Sequence, residues 1–247
     1  MRKRPVIEKM TEALPVTLVL NIITIFIVYL ISVPLAVFSS LKDTSTWDNV
    51  ITFLLYLLYS LPTFWTALLL LKYFSGGTYF NWFPLYGLRS IGHEEFTYFQ
   101  KLQDFTWHLI LPVLVSVYGS FAFLSRFIKS SFMEALKSDY IKTAKAKGLS
   151  NHRVIYIHAM RNSLIPLITL MAGILPELFA GSVIIESIFS IPGMGKLAFD
   201  SIHNNDHAVI IAVVSISSFL TLLGILFSDI GYTLADPRIS FEKEGQR

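Results

Sequence analysis

The stretch "ALPVTLVLNIITIFIVYLISVPLAVFSSL", residues Ala13 to Leu41, contains no charged side chain. A bilayer core about 30 Å thick takes roughly 20 apolar residues of helix, so this stretch can cross with residues to spare. It is too long for a secretory signal and has no small-residue cleavage site, so it belongs to the folded protein. The pattern recurs along the chain. Asn49 to Leu71, Phe105 to Ser125 and Ala208 to Ser228 are also uncharged, and Asn162 to Ile188 is apolar except for Glu177 and Glu186. A chain with 53% hydrophobic and 15% charged residues and a mean hydropathy of +0.59 is not an ordinary soluble domain. The expected fold is an all-α, polytopic membrane helical bundle. Its single transmembrane domain covers residues 13–238, with five spans at about 13–41, 49–71, 105–125, 162–188 and 208–228. Residues 1–12 and 239–247 are extramembrane ends.

No cysteine occurs, which excludes disulfides, thiolate metal sites and cysteine nucleophiles. Charge sets the orientation. Between Arg126 and Arg161 there are eight Lys/Arg against Glu134 and Asp139, a local net of +6 in a chain that is only +3 overall. The positive-inside rule makes this 126–161 loop cytoplasmic. Lys72 to Asp104, Ser187 to His207 and the N-terminus then fall outside, and the C-terminal tail inside. The first twelve residues carry a net +2, against the usual bias, so a further hydrophobic span encoded upstream of Met1 in a longer reading frame is expected.

Within the basic loop, Phe132, Leu136, Tyr140 and Ala144 recur every four positions, which predicts an amphipathic helix. Gly148 suits a positive φ that ends it, with Lys145 and Lys147 in its last turn complementing the dipole. Ser150 can cap a second short helix carrying Val154, Ile157 and Met160, and Pro166 fits the first turn of the next span. A helix, a sharp bend and a second helix on the cytoplasmic face result. Composition alone would also fit a plain topological anchor lying in the headgroup region.

The order of residues adds more. "DYIKTAKAKGLSNHRVIYIHAMRNSLIPLIT" resembles the cytoplasmic loop of permease subunits in binding-protein-dependent ABC importers, in the oligopeptide and dipeptide class. Three further stretches agree: "ALPVTLVL", "GSVIIESIFSIPGMGKLAFDSI" and "DIGYTLADPRISFE". "GGTYFNWFPLYGL" and the "DPRISFE" tail look closest to the subgroup importing microcin C-like peptides. The resemblance runs from about Pro5 to Glu242. It implies that Asp139, Tyr140, Lys142, Thr143, Ala144, Lys145, Ala146, Lys147, Gly148, Leu149, Ser150 and Arg153 couple the chain to an ATPase. It also implies a second homologous permease, ATP-binding subunits or domains, an extracytoplasmic peptide-binding protein, a peptide substrate and a location in the bacterial cytoplasmic (inner) membrane. No nucleic-acid partner is expected. Two departures stand out: Lys142, Thr143 and Ala144 occupy the place of the importer consensus Glu-Ala-Ala, and the class's first helix and following extracytoplasmic stretch have no counterpart.

No nucleotide site is expected in the chain itself. "SIPGMGKL" would need Gly at 190 and Ser or Thr at 197 to be a phosphate loop, and it has Ser190 and Leu197. No cofactor is therefore expected on this chain, and ATP and Mg belong to the partner ATPase. The competing reading is a membrane-embedded metal-dependent peptidase using the His203/His207 pair of "HNNDH", an approximation to H-x-x-E-H. Against it, Asp206 is shorter than Glu, and paired asparagines are poor helix formers. A polar turn entering the fifth span accounts for the motif.

Inside the spans, Glu177, Glu186 and Asn21 are the candidate pathway residues. A mid-span carboxylate costs about 2.5 to 3.5 kcal/mol on insertion scales, so Glu177 should face protein or water. It either lines a pathway or is paired in a helix interface, and Pro176, Gly173 and Gly181 around it favour a bend. Asn21 also reads as an interhelical hydrogen-bonding group. Pro192 and Gly193 make a turn, with Gly195 adding backbone freedom. The aromatics of Lys72 to Asp104 form an interfacial belt or a receptor-docking surface, the belt being preferred.

Overall fold

The computed structural model describes residues 4–77, 79–163 and 165–235. The N-terminal arginine and lysine at positions 2 and 3, and the tail from 236 onward with its "DPRISFE" motif, lie outside the described residues. The described residues are mostly helical, without a strand. Helix α1 (Val6–Leu41), α4 (Tyr98–Lys137) and α11 (His207–Ala235) supply the three unbroken apolar helices long enough to cross a membrane. Counting two bent helix pairs as spans gives up to five.

The first bent pair is α2 (Thr46–Ser60) with α3 (Thr63–Phe74), which meet at 90°. Pro62 causes the break: its ring pushes Leu61 out of the helical region, to φ −77° and ψ 123°. The Leu61 carbonyl freed by the break accepts the Tyr118 hydroxyl at 2.9 Å. The expected span 49–71 is thus a bent pair, because an uncharged run reports hydropathy and not backbone direction. Chain 151–188 also bends, by 46° between Leu170 and Ala172. It contains α8 (Ile165–Ala180) and α9 (Val183–Ile188), separated by Gly181 at φ +66° and by Ser182, whose hydroxyl accepts the Ile185 amide.

Helix α1 packs along α4, and α8 along α11. The buried stripe of α1 is Ala13, Thr17, Leu20, Thr24, Val28, Ser32 and Ala36, five of them small or hydroxylated, at helical spacing. Its opposite face exposes Val19, Ile22, Phe26 and Leu30. Small residues let helices approach where lipid supplies no hydrophobic drive, and the bulky residues are left for the hydrocarbon. Residues 6–12, expected to be extramembrane, are the first turns of this same helix. Their charges are paired: Arg4 with Glu8 at 2.9 Å and with Glu12, and Lys9 with Asp206 at 2.6 Å.

Two ends of the bundle are built differently. At one, Met10 and Ala13 pack with Phe179, Met194, Val209 and Val213, joining α1 to α8, α11 and α10 (Met194–His203). The Gly87 amide donates to the Phe189 carbonyl at 2.8 Å, bringing chain 75–97 to this end. There Asp104 accepts from Ser90 at 2.9 Å (amide) and 2.6 Å (hydroxyl), and lies 2.8 Å from His93 Nδ1. At the other end, Val37 packs with Phe132, Ala135, Ile141, Ala144, Val154 and Ala159. Among the described residues, the 126–161 segment and the segments assigned by charge to the other side of the membrane therefore gather at opposite ends.

Candidate functional site

A cavity of about 770 Å³ opens between α1, the α2–α3 break, α4 and α8. Helix breaks shape it: Leu61 and Pro62 form part of one wall, Gly181 and Ser182 part of another. Tyr29, Tyr59 and Phe123 add aromatic rings, and Ser116 and Ser120 hydroxyls. Two of the three residues read from the sequence as pathway candidates, Asn21 and Glu177, line it. Asn21 Nδ2 donates to the Glu177 carbonyl at 2.7 Å and to the Leu178 carbonyl at 3.4 Å, so it also ties α1 to α8. The Glu177 side chain is exposed.

Glu186, the third candidate, lies apart from the cavity wall. It is fully buried. Its Oε1 accepts the Thr17 hydroxyl at 2.9 Å, and its Oε2 accepts the Lys196 amide at 2.9 Å. Thr17 Oγ1 in turn accepts the Met194 amide at 2.8 Å. The carboxylate sits at the N-terminal end of α10, where free amides and the helix dipole favour an anion. Backbone closes around it. A Cβ on Gly195 would lie 2.7 Å from the Ser182 carbonyl carbon and the Val183 nitrogen, and one on Gly193 would lie 2.5 Å from Glu186 Oε2. Gly195, expected to add freedom, is instead a site of close approach. Thr17 was missed by the sequence reading; a lone threonine in an apolar helix signals nothing without its partner.

The second element is the segment after α4. Helix α4 runs on past the span limit expected at Ser125, so Arg126 to Lys137 continues the helix of the span. Arg126 bonds the Tyr56 hydroxyl at 2.8 Å, and Lys129 bonds the buried Asp48 at 2.5 Å. Ser138, with φ −69° and ψ 155°, separates α4 from α5 (Asp139–Ala146). The single amphipathic helix expected through Phe132 and Tyr140 is therefore two, and the register changes: Ile141 is 1% exposed and Tyr140 is 40% exposed.

Gly148 has φ +76°. Its amide donates to the Lys145 carbonyl at 2.9 Å, and the Leu149 amide reaches back to the Ala144 carbonyl at 3.3 Å. Leu149 also packs against the cluster containing Ala144. This pair of bonds with an apolar contact is a Schellman stop. Ser150 then caps α6 (Asn151–Arg153) by accepting the Arg153 amide. A π-helical turn, Val154–Ala159, follows and leads into α7 (Met160–Ser163). The wider turn moves Ile157 outward, 53% exposed, while Val154 and Ala159 are fully buried.

Of the twelve residues assigned to ATPase coupling, Asp139, Tyr140, Lys142, Thr143, Lys145, Ala146, Lys147, Gly148, Ser150 and Arg153 are exposed. Leu149 is half-buried, and Ala144 is buried against its own chain. Ala144 can position this surface but cannot contact a partner.

The "HNNDH" segment forms a turn. Asn205 takes φ +53°, His203 Nδ1 lies 3.2 Å from the Phe199 carbonyl, and Asp206 is paired with Lys9. Among the described residues no group of three or more His, Cys, Asp or Glu is arranged to hold a metal, so the peptidase reading gains no support.

Known proteins bear on this arrangement. The chain is 37% identical over 243 residues to the peptidoglycan transport system permease protein YejB of Agrobacterium fabrum, covering 98% of this chain and 67% of that protein. It is 36% identical to the inner membrane ABC transporter permease protein YejB of Escherichia coli O157:H7, covering 98% of this chain and 66% of that protein. It is 38% identical to the oligopeptide transport system permease protein AppB of Bacillus subtilis, over 96% of this chain and 73% of that protein. The fold matches a chain of the MetNI methionine ABC transporter in an inward-facing conformation, with a TM-score of 0.68 at 13% identity, covering 95% of this chain and 99% of that one. The model of the binding-protein-dependent transport system inner membrane component family matches residues 32–241. With broken helices around a cavity, a helix pair closed by Gly148 at one end, and these relatives, the chain belongs to that family of multi-pass inner membrane permease components.

Proposed function

We propose that the chain is the membrane-spanning subunit of an ATP-driven peptide importer. It forms half of the translocation pathway and makes no covalent chemistry of its own. A second permease completes the pathway, an extracytoplasmic binding protein delivers peptide, and separate ATP-binding subunits with Mg hydrolyse ATP. Residues 139–161 carry the coupling, on the cytoplasmic side together with the C-terminus. Support for the substrate class comes from relatives named for peptide transport. One structural observation carries the coupling assignment. Lys142, Lys145, Lys147 and Arg153 are exposed on a segment whose apolar side is packed against α1 and α4. A force applied to that basic surface reaches the membrane helices directly, and alternating access needs such a contact between ATPase state and helices.

The test is reconstitution of the chain with its co-encoded permease, ATPase and binding protein in proteoliposomes. ATP-dependent uptake of labelled peptide is expected. Uptake should be lost when the basic surface is neutralised by Lys145→Ala, Lys147→Ala and Arg153→Ala together, with the permeases still assembled. Uptake unaffected by that triple change would sink the coupling assignment, and no peptide uptake by the unaltered complex would sink the function.

A further inference from the structure

We propose that Glu177 is the charge-selecting residue of the cavity, binding the ammonium or guanidinium group of a peptide on its way through. The inference rests on the reading of the cavity as a peptide pathway.

Among the described residues that line the cavity, Glu177 is the only Asp, Glu, Lys or Arg. The molecule contains its own comparison. Nine positions along, Glu186 is enclosed and accepts the Thr17 hydroxyl and the Lys196 amide, as a buried carboxylate requires. The Glu177 carboxylate, by contrast, accepts no hydrogen bond and forms no ion pair among the described residues. The nearby amide cannot serve: Asn21 Nδ2 is committed to the Glu177 and Leu178 carbonyls. An unpaired acid in a span is costly and is expected where a mobile cation completes it. The rest of the wall suits the same guest, since the rings of Tyr29, Tyr59 and Phe123 offer π faces that attract ammonium and guanidinium groups. A cavity of about 770 Å³ is within the usual range for small-ligand sites.

The chain has no cysteine, so a single engineered thiol reports the cavity's charge without requiring transport. Ile174 lines the cavity three residues before Glu177, on the same helix face. In the assembled complex carrying Ile174→Cys, the rates of modification by trimethylammonium-ethyl and by sulfonatoethyl methanethiosulfonate are compared. A carboxylate within one helical turn should favour the cationic reagent by about tenfold relative to its intrinsic preference. Adding Glu177→Gln should abolish that preference, and Glu177→Asp should keep it. A rate ratio left unchanged by Glu177→Gln would overturn the proposal.

In uptake, Glu177→Gln should depress transport of a lysine-containing peptide several-fold more than that of its Nα,Nε-diacetylated analogue, which carries no cationic group. Equal loss for both, or a complex that no longer assembles, would overturn the proposal, the latter by making Glu177 an ion-pair partner of the second permease. Absence of all peptide uptake in the unaltered complex would instead defeat the transport function, and the thiol ratio would still decide whether the cavity selects cations.

Discussion

Replacing Gly148 perturbs the proposed coupling segment at one backbone position and nowhere else. Its φ is +76°, and a Cβ built there would meet nothing within 4 Å, so a side chain loses no packing and meets no clash. The cost is conformational. An L-residue in the left-handed region is disfavoured by about 1–2 kcal/mol, and the lower entropy of a non-glycine chain when the turn opens returns about 0.4–1 kcal/mol. A net of about 1 kcal/mol for Gly148→Ala corresponds to a roughly fivefold larger open population. Asparagine tolerates this region better, and valine, branched at Cβ, tolerates it worse. The expected order of turn stability is therefore Gly, Asn, Ala, Val. Hydrogen exchange at the Leu149 amide, which bonds the Ala144 carbonyl at 3.3 Å, reads that order directly and should be about five times faster in the alanine variant. In the reconstituted complex the number of ATP molecules hydrolysed per peptide imported should rise along the same series, while thermal stability of the membrane bundle stays near that of the parent. Gly148→Val with unchanged Leu149 exchange would refute the conformational reasoning. Faster exchange with full uptake and normal ATPase association would instead reduce the segment to a topological anchor.

Two further substitutions test placements that differ from the sequence reading. Ala144→Glu puts a carboxylate among Phe132, Ile141 and Val154, at a cost of several kcal/mol; folded yield should fall sharply, whereas Tyr140→Glu, on the exposed face, should leave yield intact and weaken ATPase association. Equal yields for Ala144→Glu and the parent would show that Ala144 faces outward. Gly195→Ala places a methyl 2.7 Å from the Ser182 and Val183 backbone, which cannot swing aside, and should destabilise the α9–α10 hairpin by about 1–3 kcal/mol. An unchanged thermal midpoint in detergent would contradict that crowding.

The all-helical membrane class with its apolar helices, the stop at Gly148 and the cap at Ser150 were legible in the sequence because each rests on local chemistry: uncharged length, a residue free to take positive φ, a hydroxyl before a helix. The relation to peptide permeases was legible as a pattern of motifs. Other features depend on partners far along the chain. Glu177 and Glu186 are the same residue type in one apolar stretch, and nothing local distinguishes them. Thr17, 169 residues from Glu186, supplies the hydroxyl that helps make Glu186 an internal anchor, while Asn21 spends its amide on the backbone of Glu177, which lines the cavity. Ser138 and the π-helical turn likewise reset which faces of the coupling segment are buried, through packing against Val37 and Phe132. Hydropathy and propensity act over a few residues and choose the helices. The fate of a buried carboxylate or hydroxyl depends on which donor arrives beside it, and that is decided when α1 packs against α8, α9 and α10.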